Sequence, residues 1–244
     1  MAGNIVDGLI TIVVGAISTI SKVPGFIGSN VARLNDFIYV RYFGLPFIVL
    51  GARQTGKTTL IQYLRSGKDY LDDYEPEPTA GGGDPVARFN TRVADETIRL
   101  NVEKDVGGEY PMWETDWIEL FRETQPAGLI IMIDHLDPPT HKDALNFILQ
   151  MIDEEENAKK KLRAILVLVN KSDLWSEEMR VDEIMANYKN EMRRAKLLAN
   201  RYNLWFEIHT CSLLDGTGVD DALRAFLNII RPKPKKVVTS AEVM

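Results

Sequence analysis

The chain predicts an α/β fold, a mainly parallel six-stranded sheet with helices on both faces. Three observations lead there. Short apolar runs alternate with segments of helical periodicity along most of the sequence. Two of those runs, residues 129–133 and 164–169, carry no polar side chain, as central strands covered on both sides require. A third run, residues 47–50, passes through a glycine-framed loop straight into a helix-like pattern.

Taken in order, residues 1–44 form an extension, 45–230 the main domain and 231–244 a basic flexible tail. In the extension Ile5, Leu9, Ile12, Val13, Ala16, Ile17 and Ile20 fall at helical spacing, with Asp7, Thr11, Ser18 and Ser21 elsewhere. That pattern predicts an amphipathic helix whose apolar face needs a partner. The partner is the protein's own body, a second subunit or a membrane surface. The run before Lys22 is too short, and too interrupted by Thr11, Ser18 and Thr19, for a bilayer span. The first charge is Asp7, which argues against a secretory signal.

Within the main domain, residues 47–50 predict a strand and 57–65 a helix. Residues 86–93 and 97–102 predict two strands joined by a turn around Ala94-Asp95-Glu96, and residues 204–208 a last strand. Helical patterns cover residues 142–160, 176–200 and 219–230. Residues 69–85, DYLDDYEPEPTAGGGDP, are acidic and rich in proline and glycine, the composition of a long mobile loop. The tail, RPKPKKVVTSAEVM, cannot continue a helix through its prolines, and it has no cysteine near its end for prenylation.

Composition excludes several functions. With 29 basic and 35 acidic residues the net charge is −6, which gives no support to a nucleic-acid partner. The single cysteine, Cys211, rules out an internal disulfide and any multi-cysteine zinc site, and suits a reducing, cytoplasmic compartment. His135, His141 and His209 lack metal-ligand spacing and read as ordinary surface or core residues.

The chemistry concentrates in five stretches. Gly51-x4-Gly56-Lys57-Thr58 is a phosphate loop: glycines let the backbone N–H groups of the loop, Gln54 and Thr55 included, turn around an anion at a helix N-terminus. Lys57 reaches the outer phosphates, Thr58 holds Mg2+ through its hydroxyl, and Thr59 follows at the helix start. Asn170-Lys171-Ser172-Asp173 follows a buried strand. The Asp173 carboxylate can accept from both N1–H and the amino group of guanine, a donor pair adenine lacks, while Asn170 secures the other side and the Lys171 stem covers the face. Asp105-x-x-Gly108 places a carboxylate for a water-mediated Mg2+ contact and a glycine N–H near the γ-phosphate. Thr79 is the aliphatic hydroxyl in the acidic loop that can complete the metal shell. Ser212, with Leu213, can meet the guanine oxygen through side chain and backbone.

These motifs, in this order over residues 45–230, resemble the Ras-like small GTPase superfamily, a P-loop NTPase (G domain) group. Pro78–Gly82 (PTAGG), Asp105–Gly108 (DVGG), Gly56–Thr59 (GKTT) and Asn170–Asp173 (NKSD) are similar to those of the Arf group and of the β subunit of the signal recognition particle receptor. The resemblance implies a GTP/GDP switch that orders loops near residues 69–85 and 105–123 and binds an effector, an activator and an exchange factor. It also implies an N-terminal segment that is amphipathic or membrane-bound. Two departures bear on catalysis. Glu109 stands where the family places a water-orienting glutamine, and a carboxylate is repelled by the γ-phosphate and cannot donate a hydrogen bond while ionised. Arg53, within the phosphate loop, either neutralises transition-state charge or faces solvent. Residue 2 is alanine, which argues against acylation at that position, and Leu214 replaces a frequent lysine beside Ser212.

The expected function is therefore a Mg2+-dependent GTP-binding switch with slow hydrolysis, in which Lys57, Glu109 and Arg53 are the catalytic candidates. The alternatives are a non-hydrolysing GTP-binding scaffold, motivated by Glu109, and a P-loop ATPase in which Asp134 ends the acid-tipped strand LIIMIDHLD.

Overall fold

The computed structural model describes residues 44–67, 79, 81–93, 96–175, 177 and 179–231. The amphipathic N-terminal pattern, residues 69–78 and 80 of the acidic loop, and the tail beyond residue 231 lie outside the described residues. Nearly all described residues belong to one unit, Phe43–Ile230.

Six strands make the main sheet: β1 (Leu45–Gly51), β2 (Phe89–Val93), β3 (Glu96–Asn101), β4 (Gly128–Ile133), β5 (Ala164–Val169) and β6 (Trp205–Thr210). Their order is β2-β3-β1-β4-β5-β6. Only the β2–β3 hairpin is antiparallel; β1 runs parallel to β3 and β4, and β5 to β4 and β6. This is the mainly parallel sheet that the alternation of patterns predicts, and it fits the P-loop G domain that the resemblance implies. Every residue of β4 and β5 is buried, in keeping with their apolar runs. Asp84–Pro85 also pairs antiparallel with Lys104–Asp105, so the end of the acidic loop is tied down beside the first carboxylate of the site.

The side chains of β1 alternate between two apolar layers. Ile48 and Leu50 join one core cluster with Trp113, Trp117, Leu145 and Ile148. Phe47 meets Phe226 edge-on at 5.8 Å. That second layer belongs to α5 (Val219–Ile230), whose Val219, Leu223, Phe226, Leu227 and Ile230 recur at helical spacing and are buried. Gly128 lets this helix approach, because a Cβ there would stand 2.3 Å from the Phe226 ring.

Three helices differ from the sequence expectation, each for a local reason. The helix predicted from residue 142 starts earlier, as α3 (Pro138–Glu154): Asp137 caps it by accepting from the Thr140 N–H at 3.3 Å, and the two prolines occupy its first turn, where no N–H is needed. The pattern over residues 176–200 is two helices, Val181–Asn187 and α4 (Lys189–Tyr202), parted at Tyr188. Tyr188 is fully buried and donates its hydroxyl to the Asp134 carbonyl at 2.9 Å, a tertiary bond that overrides helical continuity. Residues 110–124, within the segment expected to be a loop, are helical. Tyr110–Met112 leads into a π-turn, Trp113–Trp117, and then into α2 (Ile118–Thr124).

Candidate functional site

The loop after β1 is built around one carbonyl. Ala52 O accepts from the Thr55 hydroxyl at 2.9 Å and from Lys57 Nζ at 3.0 Å. Gln54 and Gly56 take left-handed backbone angles, φ 62° and 98°, and α1 (Lys57–Ser66) follows at once. Gly56 is required twice over, since a Cβ would also lie 2.4 Å from Asn170 Nδ2. The Lys57 ammonium is buried, and desolvation lowers its pKa to about 8, against the opposing charges of Asp105 and Glu109. A lysine held this way wants an anion.

Next to it are the three residues assigned to the metal. The hydroxyls of Thr58 and Thr79 lie 3.3 Å apart. Burial raises the pKa of Asp105, while Thr58, the Lys57 charge and Thr79 favour its ionised form. Its Oδ1 is buried and has no hydrogen-bond partner. A buried carboxylate oxygen without a donor, beside two hydroxyls, fits a hard cation that takes its remaining ligands from phosphate and water. No cluster of three or more His, Cys, Asp or Glu side chains that could hold a metal by themselves occurs among the described residues.

Gly108 presses against the phosphate loop, where a Cβ would be 2.4 Å from the Arg53 backbone nitrogen, and Gly107 against Met112 and the Thr79 carbonyl. The Gly107 and Gly108 carbonyls accept the indole N–H groups of Trp117 at 2.9 Å and Trp113 at 3.0 Å. The two indoles stack at 5.1 Å and satisfy their polar atoms on the glycine pair. Beyond them Glu109 pairs with Arg53, Oε1 to Nη1 at 3.3 Å, both side chains being about half exposed. Of the two positions left open for Arg53, the structure thus shows a third, in which it neutralises Glu109.

At the far end Asn170 is buried and spans two loops. Its Nδ2 donates to Thr55 O at 3.1 Å and its Oδ1 accepts from the Leu213 N–H at 3.3 Å. Trp175 donates its indole N–H to Asn170 O at 3.1 Å. Lys171 has φ 63°, and Asp173 is exposed at the cavity. Ser212 is fully buried, and its hydroxyl accepts from the Asp215 N–H at 3.3 Å, so the wall there is Leu213 and Leu214.

All of this surrounds one open cavity of about 540 Å³, a volume suited to a mononucleotide. Arg53, Gln54, Gly56, Lys57, Thr58, Thr59, Thr79, Gly108 and Glu109 line one end; Asn170, Lys171, Asp173 and Leu213 line the other. Of the residues expected at the site, Gly51, Thr55, Asp105 and Ser212 flank the cavity without lining it. Gly51 is needed where β1 ends against β4, as a Cβ would meet Met132 O at 2.4 Å. Gly107, Leu174 and Leu214 line the cavity without having been assigned to it. The tryptophans were missed as well, although a buried indole needs an acceptor, and that need was the signal available. Asp134, the acid of the ATPase alternative, is engaged by Lys171 at 2.6 Å.

The family model of the ADP-ribosylation factor family matches residues 43–230. Comparison with curated proteins gives no significant match.

Proposed function

Because the chain belongs to the ADP-ribosylation factor family of small GTP-binding proteins, we propose that it is a Mg2+-dependent GTP/GDP switch that hydrolyses GTP slowly. One observation carries the reading: a single cavity joins a lysine-bearing phosphate loop to a loop presenting Asp173. Lys57 and the loop N–H groups would hold the β- and γ-phosphates. Asp173 would accept from N1–H and the amino group of guanine, between the Lys171 stem and the apolar wall of Leu213 and Leu214. Thr58, Thr79 and Asp105 would hold Mg2+, which when bound neutralises charge on the phosphate oxygens. Gly108 would offer its N–H to the γ-phosphate; Trp117 sets the orientation of that peptide through the Gly107 carbonyl, and Trp113 that of the next through the Gly108 carbonyl.

Slow hydrolysis follows from Glu109. Water must be oriented for in-line attack, and an ionised carboxylate can accept from it but cannot donate to the phosphate. Arg53 offsets the charge and lets Glu109 stay near the γ-phosphate position. The same pair motivates the second reading, a GTP-binding scaffold without turnover, because it engages the Glu109 carboxylate in an ion pair. Partner recruitment would run through the helical residues 110–124 or the N-terminal segment. No helix among the described residues is long and apolar enough to cross a membrane, and the amphipathic pattern of residues 5–20 supports a peripheral association.

The test is a competition titration of the purified full chain against labelled GDP with GDP, GTP and ATP, followed by single-turnover hydrolysis with and without candidate activators. Preference for guanine nucleotides is expected. Equal competition by ATP and GTP overturns the switch and the scaffold together, while hydrolysis that an activator accelerates removes only the scaffold.

A further inference from the structure

We propose that Asp134 is a positioning residue for the purine end of the cavity, fixing the Lys171 ammonium so that the lysine stem lies along the wall that covers the base. The inference rests on the guanine-nucleotide reading above and names a residue outside the motifs that carry it.

Asp134 follows β4 and does not line the cavity. Its side chain is 3% exposed, a setting in which an unpaired carboxylate is costly. Oδ2 lies 2.6 Å from Lys171 Nζ. Oδ1 accepts from the Leu136 N–H at 2.8 Å, and the Asp134 carbonyl accepts from the Tyr188 hydroxyl at 2.9 Å. The one other basic group at this carboxylate is His141, whose Nε2 is 3.7 Å from Oδ1. Burial lowers the His141 pKa, so the imidazole stays neutral and Lys171 supplies the countercharge.

Both ends of Lys171 are therefore fixed. Its backbone sits at φ 63°, a region a lysine rarely adopts, and its ammonium is bound behind the cavity wall. What remains to face the cavity, beside Leu174 and Leu214, is the aliphatic stem. A stem already held at both ends has little rotamer freedom left to lose when a base lies against it. Asp134 thus acts on affinity through Lys171, without touching the ligand.

The experiment is a double-mutant cycle on the full chain, with GDP binding measured for wild type, Asp134→Asn, Lys171→Met and the pair, and ADP as reference ligand. Asparagine keeps an acceptor for Leu136 but sets an NH2 donor where Oδ2 accepts from Lys171, so both the charge and the bond to the ammonium are lost. Asp134→Asn should weaken GDP binding about tenfold, as the charge-assisted bond that holds the Lys171 ammonium is lost, and should add little on the Lys171→Met background. Asp134→Glu, which restores the charge one methylene away, should recover part of the loss. Thermal melts without nucleotide separate this from a structural role, which would lower the midpoint and give additive losses in the cycle. If Asp134→Asn melts below the assay temperature, Asp134→Glu against Lys171→Met runs the same cycle. GDP affinity within about twofold of wild type, or losses that add, overturns the inference. Failure of the wild type to prefer GDP over ADP overturns the nucleotide reading on which it rests.

Discussion

If Lys57 holds the phosphates as proposed, nucleotide affinity should depend on pH above neutrality, by an amount set by the burial of the lysine. In the nucleotide-free protein desolvation lowers its pKa to about 8 from the ordinary 10.5. A polyphosphate requires the protonated form. With a value near 8, about nine-tenths of Lys57 is charged at pH 7 and about one-tenth at pH 9. GDP affinity should therefore fall about tenfold between those pH values, with uptake of nearly one proton per nucleotide bound at pH 9. The sign for stability is the reverse of an ordinary salt bridge. The folded value is lower than the unfolded one, so below pH 8 the fold carries the cost of a buried ammonium. As pH rises from 8 to 10.5 that cost, about 3 kcal/mol, is relieved. Isothermal titration in buffers of different ionisation enthalpy counts the proton, with the pH kept below the ionisation of guanine itself. Lys57→Arg, charged throughout, should flatten the pH profile. Affinity that is level from pH 7 to 9, with no proton uptake, would refute the argument that burial sets the charge of this lysine.

Glu109→Gln should raise single-turnover GTP hydrolysis about tenfold, the worth of one added transition-state hydrogen bond; a rate at or below wild type would mean that the amide does not reach the water. Its stability should change little, because the bond lost to Arg53 is between half-exposed groups. Gly128→Ala should lower stability by about 1–3 kcal/mol, since the new methyl would meet the Phe226 ring and Ile230 in a close-packed layer. A denaturant melt with an unchanged midpoint would show that α5 yields freely. The Asp134 cycle and the nucleotide competition complete the set.

The sheet was legible because its central strands leave no choice of partner. Residues 129–133 and 164–169 have no polar face to show solvent, and a parallel pair covered by helices is the arrangement that satisfies them. The phosphate loop and the residue 170–173 segment were legible because their chemistry is local in sequence. Contacts between distant segments were not. Tyr188 divides a continuous helical pattern for the sake of Asp134, and nothing within either segment announces that bond. The helix over residues 110–124 was hidden by the resemblance, which implies a switch loop near residues 105–123, while Trp113, Trp117 and Phe121 hold the spacing that buries one helical face. Arg53 and Glu109, weighed separately as a charge facing solvent or phosphate and a charge facing phosphate, find each other.

Asn170 has a wider consequence. One amide clasps Thr55 with its nitrogen and Leu213 with its oxygen, and Gly56 stands aside to admit it. The two loops proposed to grip a nucleotide are consequently jaws of a single caliper that share a pivot. Loosening either jaw slackens the other, so a ligand missing its sugar-borne ring would be held less firmly by its phosphates than simple subtraction implies.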